Sequence, residues 1–191
     1  MARERATDTT ALVAAAAEAF RVKGYRNATI DDIAEAAGIS RPTVYKYTRS
    51  KQHLLDLMVE EVTGDMTRRQ RMIMASDEPA QARLGQLIRA HIDSTITNRT
   101  FYAIVWAEEI ELSEAARQRF RSWAHTVTQD FRVLLTDGLP DDATINPTIG
   151  ANLVLSMLST LYRWYDPHGP VDPDGLADQI ESLVGAFFHA R

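Results

Sequence analysis

The sequence predicts an all-α fold, and three observations carry that prediction. Apolar residues recur at helical spacing along the chain, and no stretch sustains an alternation of period two. No Asn-Gly or Asp-Gly pair stands between strand-like runs. Ser, Thr, Asn and Pro fall where helices begin, and Gly falls where they end. The 191 residues suffice for one or two domains, and a hydrophobic content of 45% allows an ordinary core. There is no cysteine, which removes disulfides, thiolate nucleophiles and cysteine-based metal sites.

The first helix is expected to start near Asp8 to Thr10 and run to Lys23, with Leu12, Ala15, Ala16, Ala19 and Phe20 as its apolar stripe. Gly24 supplies a left-handed stop. Thr29 opens a second, short helix. An acid three residues on, Asp32, is close to a capping box, with Asp in place of the preferred Glu. Ile33, Ala34 and Ala37 face inward, and Gly38 closes the helix in a sharp turn. Ser40 caps a third helix that Arg41-Pro42 opens, since proline suits a first turn where its missing N–H is not needed. Ser50 caps again. Lys51 to about Ser76 reads as one long helix carrying Leu54, Leu55, Met58, Val62, Met66 and Ile73, with Gly64 as a weak point.

Asp77-Glu78-Pro79 breaks the chain. Beyond it the pattern predicts helices at about Ala80–Thr97, Phe101–Glu111, Ser113–Thr136, Pro147–Tyr165 and Pro173–Ala190. Asn146-Pro147 is a cap followed by a first-turn proline, and Asp166 to Pro170 is a loop.

The longest apolar stretch, Ala11–Ala17, ends at Glu18, far short of the roughly 20 residues that span a bilayer. The first eight residues lack an apolar signal core. A soluble, cytoplasmic protein with no membrane partner is expected. No Glu is followed three residues on by His, as a di-iron site requires. His-Glu-x-x-His and the phosphate-binding Gly-x-x-x-x-Gly-Lys are also absent. The expectation is therefore not an enzyme, with no catalytic residues, no metal and no cofactor.

Charge is distributed unevenly. The whole chain carries −5, yet its first 51 residues hold nine bases and six acids, a net of +3, leaving −8 for the remainder. Such asymmetry suggests that one end faces a polyanion, although compositional scatter gives the same numbers. Two short helices joined by a glycine turn, the second basic and aromatic, suit either a polar helical hairpin in a bundle or a helix-turn-helix. In such a unit the second helix lies in the major groove and offers its amino-terminal half to base edges. Arg41 is the bidentate donor there, suited to guanine. Thr43 suits a thymine methyl or a phosphate, and Lys46 and Tyr47 reach backbone oxygens. Tyr45 suits either the same role or a helix–helix seam. Thr29 and Lys51 sit at helix amino termini, whose backbone N–H groups favour phosphate. Arg3 and Arg5 suit either a minor-groove arm or a solvated tail.

The run Phe20–Tyr47, with Ser50-Lys51 and Leu54-Leu55, resembles the DNA-binding domain of TetR-family regulators. The resemblance covers the first quarter to third of the chain. It implies a homodimeric, ligand-responsive transcription factor, usually a repressor, acting on a palindromic double-stranded DNA operator. It implies that Thr29, Arg41, Pro42, Thr43, Tyr45, Lys46, Tyr47 and Lys51 occupy DNA-contact positions. The corresponding division is a helix-turn-helix domain at 1–50 and a helical ligand-binding and dimerisation domain at 51–191, with the linking helix at about 51–76. One departure is Thr48, where the family often has Phe packing under the recognition helix.

Two terminal amphipathic helices have wide apolar faces. Ile149, Leu153, Met157, Thr160, Leu161 and Trp164 mark one; Leu176, Ile180, Leu183, Val184, Phe187 and Phe188 mark the other. They suit an isologous four-helix interface or an ordinary core, and the resemblance implies the interface. The middle helices mix large apolar groups with polar ones, as a small-molecule pocket requires. Met66, Tyr102, Trp106, Glu109, Trp123 and His125 are the pocket candidates. His91 reads instead as partly exposed or hydrogen-bonded. The run Leu161–Pro167 with Gly169-Pro170 is similar to regulators of lipid or acyl-CoA metabolism, which implies a hydrophobic or amphipathic effector.

Overall fold

The computed structural model describes residues 9–138 and 145–187. Among the described residues every regular element is helical: α1 (Thr9–Lys23), α2 (Ile30–Ala37), α3 (Arg41–Tyr47), α4 (Lys51–Met74), α5 (Ala80–Thr97), α6 (Arg99–Ala107), a 3₁₀ turn at Glu109–Glu111, α7 (Glu114–Gly138), α8 (Pro147–Ser159), α9 (Leu161–Trp164) and α10 (Pro173–Phe187). Arg3, Arg5, Phe188 and the side chain of Phe187 lie outside the described part.

The chain packs as two compact units. The first comprises residues up to Thr63 together with Thr100–Phe120; the second comprises Gly64–Arg99 and the chain from Arg121 onward. Packing thus draws a different boundary from a cut after residue 50. α4 runs unbroken through Gly64, and the division of units falls at that glycine.

The first unit is built on local stop and start signals. Gly24 has φ 77° and donates its N–H to Phe20 O at 2.8 Å, a left-handed stop open to glycine at little cost. At Gly38, φ 67°, the N–H bonds to Glu35 O and that of Ile39 to Ala34 O, the paired bonds of a Schellman end. α1 packs on α2 and α3. Leu12, Val13, Phe20, Ile33, Val44, Leu54, Leu55 and Met58 are buried, and the Phe20 and Tyr25 rings meet edge to face at 5.0 Å.

In the second unit, Leu84, Leu87, Ile88 and Ile92 of α5 join Val127, Phe131, Leu134 and Leu135 of α7. Val154 and Leu158 of α8, and Leu176, Ile180 and Val184 of α10, complete the cluster. Two expected helices are shorter than predicted. The helix after Arg99 ends at Ala107, where Glu108, Glu109 and Glu111 place negative charge at the negative end of the helix dipole. The helix from Pro147 breaks at Thr160. There the hydroxyl groups of Ser156, Ser159 and Thr160 bond back to carbonyls three or four residues earlier and compete with the ladder.

Candidate nucleic-acid interface

α3 is seven residues long, so its placement depends on what fixes its two ends. At the start, Ser40 Oγ accepts from Thr43 N–H at 3.3 Å and Pro42 occupies the first turn. At the end, Thr48 is buried. Its hydroxyl donates to Ser50 O at 3.0 Å and lies 3.1 Å from His53 Nδ1. Ser50 Oγ accepts from His53 N–H and caps α4. Thr48 therefore replaces the apolar packing expected of an aromatic at that position with a short polar cluster. His53 was not visible as its partner because nothing in the helical pattern singles it out.

The helix so held exposes Arg41, Pro42, Tyr45 and Lys46, while Val44 points inward and Tyr47 is half-buried. Arg41 Nη1 lies 3.0 Å from Asp31 Oδ2, and its guanidinium sits 5.9 Å from the Tyr45 ring centre. Hydrogen bonding with Tyr45, followed by the charge of Asp31, raises its pKa above the ordinary arginine value.

Three expected contacts take on other work. Thr43 is buried, and its hydroxyl lies 2.8 Å from that of Ser40, so it is withdrawn from the exposed face. Thr29 completes the capping box. Its hydroxyl accepts from Asp32 N–H, and its own N–H donates to Asp32 Oδ2 at 2.8 Å, so that N–H is no longer free for phosphate. Lys23 also reaches Asp32 at 2.6 Å. That hydrogen bond, then those from Thr29, hold the carboxyl down to about 2.

Lys51 donates from Nζ to Tyr25 O at 2.8 Å and Arg26 O at 3.0 Å, and stands 5.0 Å from the Tyr25 ring centre. It fastens the first turn of α4 to the α1–α2 connection, 26 residues away. No local pattern announces such a contact. Further links hold this half of α4. Gln52 donates to Glu111 O at 2.9 Å, Ser113 N–H donates to Asp56 Oδ1 at 3.1 Å, and Arg119 pairs with Glu60.

The candidate effector residues fall in both units. In the first, Tyr102 is buried, Glu109 is half-buried in the 3₁₀ turn, and Trp106 meets Phe120 edge to face at 5.7 Å but keeps 42% exposure. In the second, Met66 is buried, Trp123 packs against the core and His125 is exposed. The second unit also holds buried polar groups that sequence reading passed over or misplaced. Gln70 donates to Asp130, and Ser94 and Thr95 are buried. His91 is 5% exposed and set edge-on to Phe131; its Nε2 has no hydrogen-bond partner, and burial pushes its pKa down to about 4. A narrow crevice, no larger than one water molecule, lies between Arg99, Ile96 and the Leu161–Tyr165 segment, with Arg99 Nη1 donating to Tyr165 O at 2.9 Å.

Of the residues expected at a subunit interface, Leu153, Trp164 and Leu183 are more than half exposed, as is Ile149 one turn before Leu153. Met157 and Thr160 are half-buried. Leu161, Leu176, Ile180 and Val184 are instead packed into the protomer's own core and keep little surface for a partner.

Known proteins share this architecture. Residues 77–187 match the family described as tetracyclin repressor-like, C-terminal domain, and residues 12–58 match bacterial regulatory proteins, tetR family. The chain is 27% identical to the HTH-type transcriptional repressor KstR2 of Rhodococcus jostii, over 92% of this chain and 88% of that protein. The solved structure of the ketosteroid transcriptional regulator KstR2 of Mycobacterium tuberculosis superposes with a TM-score of 0.82 at 21% identity, covering 95% of this chain and 94% of that one. That of AibR in complex with isovaleryl coenzyme A and operator DNA gives 0.76 at 20% identity, covering 94% and 97%.

Proposed function

The chain belongs to the TetR family of bacterial regulatory proteins, a family of ligand-responsive DNA-binding transcription regulators, and from that premise we propose that it is a repressor released from its operator by an amphipathic effector. One observation carries the DNA-binding half: a seven-residue helix fixed at both ends presents Arg41, Pro42, Tyr45 and Lys46 outward. Arg41 reads a base edge, and Tyr45 and Lys46 hold backbone oxygens. Thr29, Thr43 and Lys51 position the reading helix instead of touching DNA.

One such helix specifies too few base pairs for a unique site. Two must sit about 34–36 Å apart, which requires a homodimer on a palindromic site. Ile149, Leu153, Trp164 and Leu183 supply the self-complementary face, since large apolar groups left exposed on a single protomer mark an association surface. Leu153→Glu combined with Leu183→Glu is expected to convert the dimer to a monomer in sedimentation equilibrium and to abolish operator binding.

The effector is an acyl-coenzyme A thioester or a related amphipathic acid. Two things support this class: the Leu161–Pro167 run and a relative of the same fold solved with isovaleryl coenzyme A. No catalytic role is assigned. No helix among the described residues is long and apolar enough to cross a membrane, and a regulator of genes acts in the cytoplasm. The test is a fluorescence titration on duplexes selected from a random library, followed by addition of acyl-coenzyme A thioesters. Selective binding with a steep salt dependence, reversed by one thioester, supports the reading. Binding indifferent to duplex sequence contradicts it.

A further inference from the structure

The residue placed to read a base is already paired in the free protein. Arg41 and Asp31 meet at 3.0 Å, with side chains 55% and 62% exposed, so the pair stands in water on the same side of the head as the reading helix. Asp31 belongs to the first turn of α2 and Arg41 to the first turn of α3. Gly38 and the Schellman bonds fix the turn between those helices, and across that turn the two side chains meet. Asp31 takes one terminal nitrogen of the guanidinium; Tyr45 stands against the same group.

An acidic side chain at a surface that binds a polyanion is costly by itself. Its charge is repelled by every phosphate, so its presence beside the base-reading arginine calls for a physical account. The Arg41–Asp31 pair is nearly neutral as a unit. A neutral pair gains little from a phosphate, which releases counterions only against net positive charge. A guanine edge is uncharged and asks only for N–H donors, and a guanidinium carries five of them. The pair therefore loses its attraction for phosphate and keeps its ability to donate to guanine.

We propose that Asp31 is a specificity-determining residue of the DNA-reading head, acting by withholding the Arg41 guanidinium from phosphates so that it contributes at a guanine edge and little elsewhere. This rests on the reading of the chain as a DNA-binding regulator. A free arginine at this position would add the same sequence-independent affinity to every duplex and so dilute selectivity.

The experiment uses the full-length protein with a duplex selected from a random library and with an unselected duplex, each titrated across a salt series. Four proteins are compared: the parent, Asp31→Asn, Arg41→Ala and the double variant, each first checked for an unchanged melting temperature. Asp31→Asn keeps the shape and removes the charge. It is expected to tighten binding to the unselected duplex by about 3–10-fold and to change the selected duplex by less, so the ratio falls. Its salt dependence on the unselected duplex steepens by about one phosphate contact. In the Arg41→Ala background the same substitution has no effect beyond the general loss of one negative charge, about 2-fold.

Equal tightening with and without Arg41 overturns the proposal, because the carboxylate then acts as a plain repulsive charge. Asp31→Asn weakening the selected duplex more than the unselected one also overturns it, because the carboxylate then reads a base amino group itself. A parent protein that binds neither duplex removes the DNA-binding reading, and the proposal with it. A selective parent with an inert Asp31→Asn removes the proposal alone.

Discussion

The DNA-reading head and the second unit manage their polar groups in opposite ways. In the head, the helix ends from the close of α1 to the start of α4 are each closed by a neighbour: Gly24, Thr29 with Asp32, Gly38, Ser40, and Thr48 with Ser50 and His53. Half-buried Lys51 donates to two carbonyls. The second unit buries an imidazole whose Nε2 has no partner and leaves Ile149, Leu153, Trp164 and Leu183 in water. A closed polar inventory suits a rigid part whose task is to hold a register against DNA. Unmet hydrogen-bonding and unburied apolar surface suit a part that completes itself by binding, in keeping with the second copy and the effector proposed above.

The largest effect is expected at the centre of the second unit. Phe131 is fully buried among α5, α7 and α8 residues. Phe131→Ala is expected to cost about 3–5 kcal/mol in denaturant unfolding. A loss under 1 kcal/mol would show that this core is loosely packed.

His91 comes next. Its pKa is about 4 in the folded protein, against an ordinary value of 6.5, because burial disfavours the imidazolium. Above pH 6.5 the ring is neutral in both states and has no effect on pH dependence. From pH 6.5 down to about 4 the unfolded chain takes up a proton that the folded one refuses, so stability falls by on the order of 3 kcal/mol and then levels off. His91→Leu should flatten that slope in unfolding curves collected at pH 7 and pH 4.5. An unchanged slope assigns the acid sensitivity to other groups.

Lys51→Met tests the other side. Loss of its two charge-assisted hydrogen bonds should destabilise the head by about 1–3 kcal/mol, read by chemical denaturation. If stability holds while affinity drops equally for all duplexes, Lys51 serves phosphate instead and the head is less closed than described. The smallest effect is at Gly64, where an added Cβ meets only Arg68 Nη1 at 3.8 Å and the helix is regular. Gly64→Ala should raise stability by about 0.5–1 kcal/mol, and a loss of effector response at unchanged affinity would show that the glycine at the boundary of the units serves movement.

Most of the head could be read from residues in order, since its signals are local. Thr29 three residues before Asp32, Gly38 before Ser40, and Pro42 in a first turn act through atoms a few bonds away, and they set both ends of α2 and the start of α3 within a residue of the expected positions. The same locality placed α5 at Ala80–Thr97 and the Asn146 cap of α8, whose side chain accepts from Thr148 and Ile149 N–H. Periodicity also marked the apolar faces of α8 and α10 but not which neighbour each residue meets.

Composition and short-range stereochemistry therefore determined the helices, most of their ends, the charged head and the polar outward face of α3. Only the folded chain decided that Thr43 turns inward, that Lys51 is held by Tyr25 and Arg26, that Asp31 holds Arg41, and that Leu176 and Ile180 belong to the core while Leu153 and Leu183 do not. The reason is range. A cap or a stop is settled within about one helical turn, whereas burial and ion pairing depend on which distant surface arrives, and a helical stripe looks the same whether its partner is its own chain or another.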